Sequence, residues 1–203
     1  DKLAAEDAEI EAFARQSMGA DYKLTAWDRA YFAEQLRKEK YGVDEATLSQ
    51  YFELDNVIEN GVFFAANQMY GLSFEPRTDI PVYNPDVRCW DVKNSDGEVI
   101  GLFMLDPYAR PSKSGGAWMS NFVEQSFLLG TKPVIYNVCN VKKPAASEKC
   151  LLTWDETTTF FHEFGHALHG FFANQKYPSI SGTNTPRDFV EMPSQFNEHA
   201  ALD

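Results

Sequence analysis

The sequence predicts an α+β fold that is mainly α-helical, and three observations carry that prediction. Apolar residues recur at helical intervals through roughly the first seventy residues. From about Ile80 the texture turns to short β-branched and aromatic runs separated by turn signals. From Trp154 a segment opens on a helix-start signal and carries a single long apolar stripe.

Leu3 to about Met18 is an acidic, alanine-rich helical stretch. A second helix follows from Thr25, where Thr25 and Asp28 form a box-like start ahead of Tyr31, Phe32 and Leu36. The helical pattern resumes from Asp44 to Phe52 and from Leu54 to about Tyr70, with Gly71 as the stop. Residues 87–92 and 99–105, joined by the turn Asn94-Ser95-Asp96-Gly97, read as a hairpin. Val134, Ile135, Tyr136 and Val138 mark a further strand within residues 133–139. The organisation therefore changes once: a helical region over 1–75, then a small sheet and a helix pair over 76–203. The chain opens at Asp1 without an initiator methionine, so it is expected to be an interior piece of a larger protein.

A length of 203 residues permits a substantial core, and 44% hydrophobic residues is a globular composition. The formal charge of −12 argues against nucleic acid as a partner, because phosphate binding needs clustered Lys and Arg. The one dense basic stretch, Arg37-Lys38-Glu39-Lys40, reads as a solvated helix face. No apolar run reaches the roughly 18–20 residues of a membrane span. Cys89, Cys139 and Cys150 are odd in number and lack metal-like spacing, so free thiols and a cytoplasmic setting are expected.

The chemistry concentrates in His162-Glu163-Phe164-Gly165-His166. Thr153-Trp154-Asp155-Glu156 has the Thr-x-x-Glu form of a capping box, so a helix should begin near Trp154 and run to about Asn174. Phe160, Phe164, Ala167, Leu168 and Phe171 form its buried stripe, with the two histidines on a neighbouring face. At roughly 100° and 1.5 Å per residue, His162 and His166 differ by about 40° and about 6 Å, so both rings can reach one metal ion. Glu163 projects from the shoulder of that face, where a carboxylate can take a proton from water activated by zinc. H-E-x-x-H on a helix is thus a metallopeptidase signature. His169 lies about 10.5 Å along the axis from His162, too far to share the ion, and reads as a supporting or structural residue. Gly165 and Gly170 each cost about 1 kcal/mol relative to alanine, which points to a close approach of another chain or a ligand.

A third metal ligand has to come from elsewhere. Pro178, Gly182 and Pro186 lie in a loop that reverses the chain, and a second helix follows, which Asp188 could cap with Glu191 three positions on. Asp188, Glu191, Glu198 and His199 are all chemically able to bind zinc, and spacing alone does not choose among them. Gln195, one turn after Glu191, is either an orienting partner for a ligand histidine or a surface residue.

His162-Glu163-Phe164-Gly165-His166-Ala167-Leu168-His169, followed by Ser181-Gly182-Thr183 and by residues 187–195, resembles the thimet oligopeptidase and peptidyl-dipeptidase family of zinc metallopeptidases. Trp27-Asp28, Tyr51-Phe52, Asp86-Val87-Arg88, Gly101, Asp106, Arg110, Lys113 and Gly116-Ala117-Trp118-Met119 are similar as well, so the resemblance covers most of the chain beyond about residue 20. The stretch 181–189 is closer to the peptidyl-dipeptidase branch. The resemblance implies a zincin-like fold with a small sheet beside the H-E-x-x-H helix. It also implies one Zn2+ per chain held by His162, His166 and Glu191, Glu163 as general base, and short peptides as substrates, with dipeptides released from the C-terminus. Ala200 and Ala201 stand where the family has a tryptophan. The tyrosine and histidine groups that assist the reaction in family members lie past residue 203, so the 203-residue piece alone is expected to have little or no activity.

In Ser112-Lys113-Ser114-Gly115-Gly116-Ala117-Trp118-Met119 the backbone is bare. By analogy with metallopeptidases of this shape, Gly116 and Ala117 would lie where a peptide substrate pairs as an added strand; a plain turn entering a core strand is the other reading. A catalytically inactive metal-binding scaffold or interaction module competes with the enzyme reading. Activity of the parent chain, with Glu163→Gln as the comparison, separates the two, and zinc stoichiometry separates both from a structural domain with a coincidental motif.

Overall fold

The computed structural model describes residues 2–42 and 45–202. Contacts divide the chain into two compact units that meet between Leu48 and Ser49, inside the helical stretch expected over 1–75. In the first unit, α1 (Lys2–Met18) and α2 (Arg29–Tyr41) bury Ile10, Ala14 and Phe32 between them, flanked by Phe13, Tyr22, Leu24 and Leu36. Helix α2 starts at Arg29 rather than just after Thr25. The Asp28 carboxylate is taken by the hydroxyls of Thr25 and Tyr22, so no side chain caps the helix amides.

Helix α3 (Glu45–Ser49) is short, and Asp44, the expected start, lies outside the described residues. The second unit carries one helical run made of α4 (Leu54–Asn56), a π-helical stretch (Val57–Phe63) and α5 (Phe64–Tyr70). Glu53 caps it by accepting from the amides of Asp55 and Asn56, and Gly71 ends it in the left-handed region at φ 69°. The π-helical stretch sets Gly61 against Phe161, where a Cβ would lie 3.3 Å from the ring.

Five strands follow: β1 (Ser73–Pro76), β2 (Arg88–Lys93), β3 (Val99–Tyr108), β4 (Trp118–Val123) and β5 (Val134–Val141). Their order in the sheet is β1-β2-β3-β5-β4. The expected hairpin is β2-β3, with Trp90 opposite Phe103, and Asn94 caps its turn. β3 and β5 run parallel, Phe103 beside Ile135, while β4 pairs antiparallel to β5 and forms one edge. The strand β1 starts before the expected change of texture, at Ser73, because Phe74 stacks on Phe63 with ring centroids 3.9 Å apart.

Helix α6 (Trp154–Phe171) lies against β3, β4 and β5 and buries Phe160, Phe164, Ala167, Leu168 and Phe171, the expected stripe. Phe164 sits at the centre, with rings of Phe63, Phe74 and Phe103 within 5.8 Å. The helix stops at Phe171, short of Asn174. The carbonyls of Gln175 and Lys176 instead accept from the amides of Phe127 and Leu128, which holds the outgoing chain away from the helical path. Helix α7 (Arg187–Glu198) returns across α6. Its N-cap is Pro186, so the capping box expected of Asp188 does not form, and Pro193 sits inside the helix.

Both glycines of α6 face close neighbours within this chain. A Cβ on Gly165 would lie 2.7 Å from Ser194 Cα and 3.0 Å from the Pro193 carbonyl, and one on Gly170 would meet Ile135 at 2.5 Å. The loop after β3 is fixed by a buried ion cluster. Asp106, 1% exposed, accepts a two-pronged pair from Arg110 at 2.8 Å and a bond from Lys113 at 3.1 Å, and the Tyr83 hydroxyl donates to it. Lys113 also donates to the carbonyls of Asp106 and Tyr108. Burial alone would raise the Asp106 carboxyl, but bonds from Arg110 and Lys113 outweigh it and hold the group below its ordinary range.

Three substitutions test this packing. Gly165→Ala should destabilise the protein by about 2 kcal/mol in urea denaturation, since overpacking against backbone exceeds the roughly 1 kcal/mol gained in helix propensity. Gly115→Ala, with open space around it, should stay within about 0.5 kcal/mol. Asp106→Asn should cost about 3 kcal/mol near neutral pH, because it strips a buried cation of its partner. A carboxyl held low in the fold stabilises above its unfolded value, near about 3.9, and loses that contribution as pH falls further. The stability gap between Asp106→Asn and the unmodified chain should therefore be full above about pH 5 and shrink below about pH 4. A gap independent of pH would contradict the ionised state.

Candidate metal centre

The start of α6 is set locally. Thr153 Oγ1 accepts from the Glu156 amide at 3.0 Å and Glu156 accepts from the Thr153 amide at 2.8 Å, the reciprocal box expected from the sequence. That phase turns His162 and His166 outward from the apolar stripe, with ring centroids 4.9 Å apart and planes at 85°.

Helix α7 brings Glu191 to both rings. Its Oε2 is 3.2 Å from His162 Nε2 and 3.1 Å from His166 Nε2. One donor atom from each of the three residues lies within 4.8 Å of the others, and this is the single such group among the described residues. Donors each about 2.0–2.1 Å from one tetrahedral ion would be roughly 3.3 Å apart, so the observed separations suit a zinc-sized ion. The donor set, two imidazoles and a carboxylate, has the right chemistry too. Asp188, Glu198 and His199, the other zinc-capable groups of this segment, stand outside the group. His169 stands outside it as well, with its ring 6.2 Å from that of Phe189.

Ser194, fully buried, fixes Glu191: its hydroxyl lies 2.9 Å from both the Glu191 carbonyl and Oε2. Burial would raise the Glu191 carboxyl, but the Ser194 hydroxyl and the two imidazoles hold it below its usual value. His166, 9% exposed, is pushed down chiefly by burial, with Glu191 opposing. Glu163 is 6% exposed and its Oε2 has no hydrogen-bond partner. Burial pushes its carboxyl up to about 7, with His162 opposing and Glu191 adding to the rise.

A cavity of about 410 Å³ opens over these groups, lined by Ala117, by Trp118 and Met119 of β4, by Thr183 of the reversing loop and by Val190. A larger one, about 510 Å³, lies between the π-helical stretch and Phe161, but Tyr51 is its only titratable lining residue, so the chemistry belongs to the smaller. Of the two residues expected at the strand edge, Ala117 lines the cavity. Gly116 does not, and its carbonyl is used by Asn140, which donates to it at 2.7 Å and to the Ser114 carbonyl at 2.8 Å. Gly116 adopts φ 89°, a left-handed turn that sends the chain into β4. The reversing loop is tied to the other end of β4: Asn184 donates to Glu124, and Ser181 to Gln125.

Sequence reasoning passed over Ser194 and Asn197 and counted Glu198 only among the zinc-capable side chains. Asn197 donates to the Phe161 carbonyl at 2.6 Å, and Glu198 Oε1 is 2.6 Å from His162 Nδ1. Gln195, the candidate orienting residue, is exposed. Spacing contained a signal for Glu198, since residues seven apart on a helix share a face.

Comparison with known proteins supplies the frame for this geometry. The profile of peptidase family M3 matches residues 1–203. The chain is 58% identical over 196 residues to dipeptidyl carboxypeptidase of Salmonella typhimurium, covering 97% of the chain and 29% of that protein. It is likewise 58% identical over 194 residues to dipeptidyl carboxypeptidase of Escherichia coli, with 96% and 28% covered. Against oligopeptidase A of Escherichia coli the identity is 39% over 196 residues, with 95% and 28% covered. The chain thus spans less than a third of the length of these relatives.

Proposed function

The chain belongs to peptidase family M3, and from that premise we propose that it is the zinc-binding part, zincin-like in fold, of an enzyme that hydrolyses short peptides. The observation that carries the reading is the meeting of His162 Nε2, His166 Nε2 and Glu191 Oε2 at separations suited to one ion. These three residues would hold one Zn2+ per chain. When bound, zinc supplies a Lewis acid that polarises a carbonyl and makes water nucleophilic near neutral pH.

The remaining work falls to side chains and backbone. Glu163 follows His162 directly and lines the same cavity, so its carboxylate is set to take a proton from the attacking water and return it to the leaving amine. The outer edge of β4 offers backbone groups with which an extended peptide can pair, and small Ala117 leaves room beside Glu163. Thr183 and Val190 close the opposite wall. The name dipeptidyl carboxypeptidase, carried by two relatives at 58% identity, supports release of dipeptides from the C-terminus as the activity of the whole protein. Three buried free thiols suit a reducing, cytoplasmic setting.

In the full-length protein, Glu163→Gln should retain zinc by elemental analysis while kcat/KM on a short peptide falls by about 10²–10⁴. Glu191→Ala and His166→Ala should lose the metal. Hydrolysis by Glu163→Gln at the unmodified rate would take the base role from Glu163, and full activity without any metal would end the reading.

A further inference from the structure

Helix α7 meets the His162 imidazole at both of its nitrogens. Glu191 Oε2 stands 3.2 Å from Nε2, and Glu198 Oε1 stands 2.6 Å from Nδ1. Seven residues along a helix are about two turns and return to nearly the same face, so one helix can present carboxylates to opposite ends of a ring lying across it. The shorter contact is within hydrogen-bond distance. Asn197, the residue before Glu198, grips the carbonyl of Phe161, the residue before His162. Main chain and side chain at this point of α6 are therefore held by consecutive residues of α7.

We propose that Glu198 is a positioning residue for the metal-binding imidazole. Its carboxylate accepts the Nδ1–H of His162 and thereby fixes the tautomer in which the Nε2 lone pair faces Glu191 and His166. The proposal rests on the reading of His162 as a ligand. A neutral imidazole carries its proton on either nitrogen, and the hydrogen bond made by one nitrogen decides which lone pair is free for a metal. Among the described residues no other side chain does this for either ring: Gln195 is exposed, and His166 Nδ1 is buried without a partner. Glu198 also lines, with Ala117, Thr158, Thr159, His162 and Glu163, a second cavity of about 340 Å³, so it sits beside the reacting groups without belonging to the three-residue cluster.

The test compares two variants of equal bulk in the full-length protein: Glu198→Gln, which keeps an oxygen acceptor, and Glu198→Met, which does not. Zinc affinity is measured by chelator competition, and the tautomer of His162 by 15N spectra of the metal-free, histidine-labelled protein. Glu198→Met should weaken zinc binding by about 10–100-fold and mix the tautomers, whereas Glu198→Gln should lose less than about tenfold and keep the Nδ1–H form. Equal zinc affinities of the two variants, or a pure Nδ1–H form in Glu198→Met, would overturn the proposal. An unmodified protein that binds no zinc would remove the metal reading itself, and the tautomer contrast would then still decide whether Glu198 sets the ring.

Discussion

Everything at this site depends on α7 crossing α6 at backbone contact. Gly165 lies between the two site histidines of α6 and the main chain of α7 at Pro193 and Ser194, where even one methyl group would stand 2.7 Å from Ser194 Cα. Two helices with ordinary side chains at their crossing keep axes about 8–10 Å apart. A glycine at the crossing allows the short end of that range, and a glutamate side chain can then span from one helix to the imidazoles of the other. Ser194 serves twice: its Cα packs on Gly165 while its hydroxyl orients the Glu191 carboxylate. The same contact that fixes the helix pair therefore fixes the carboxylate.

The opposite wall of the cavity is held by electrostatics instead of packing. The turn between β3 and β4 is anchored by Lys113, whose ammonium spends all three of its protons on the Asp106 carboxylate and the carbonyls of Asp106 and Tyr108. Asn140 then takes the carbonyls of Ser114 and Gly116, so the chain reaches Ala117 from a fixed starting point. At the far end of β4, Glu124 and Gln125 receive Asn184 and Ser181 from the loop that leads into α7. A charge buried this deeply is strongly penalised unless its hydrogen bonds are complete, so the cluster tolerates few geometries, and the edge strand inherits that rigidity.

Much of this was legible in the chain because the signals are local. The capping box at Thr153 and Glu156, the apolar stripe of α6, the hairpin turn at Asn94 to Gly97 and the stop at Gly71 each depend on residues a few positions apart, and each appears as expected. Elements decided by distant partners were harder to read. Thr25 and Asp28 look like a cap, but Tyr22 competes for the same carboxylate. β1 exists because Phe74 finds Phe63, and the early end of α6 follows from pairing with residues 127 and 128. At the site, four zinc-capable residues were indistinguishable by spacing, and only the crossing of the helices brings Glu191 rather than Asp188 or His199 to the histidines. The small size of Gly165 and Gly170 was noticeable in sequence, while the identity of their neighbours, α7 and β5, was not.

The two histidines end up constrained by different forces, and that difference bears on how the site tolerates change. His162 is a quarter exposed at its side chain and owes its orientation to a carboxylate, whereas His166 is nearly enclosed, with Nδ1 unpartnered and its ring edge-on to His162. A buried ring held by packing cannot rotate without displacing its neighbours, so packing alone can fix its orientation. A ring at the mouth of a cavity has room to turn, and only a directed hydrogen bond can hold it. Ala117, His162 and Glu163 line both cavities and mark where the two meet. On the proposed reading, a peptide laid along β4 passes that junction beside the more exposed of the two imidazoles. Orientation by Glu198 is then required at the one ring whose surroundings cannot provide it, which is why α7 carries a second carboxylate two turns beyond the first.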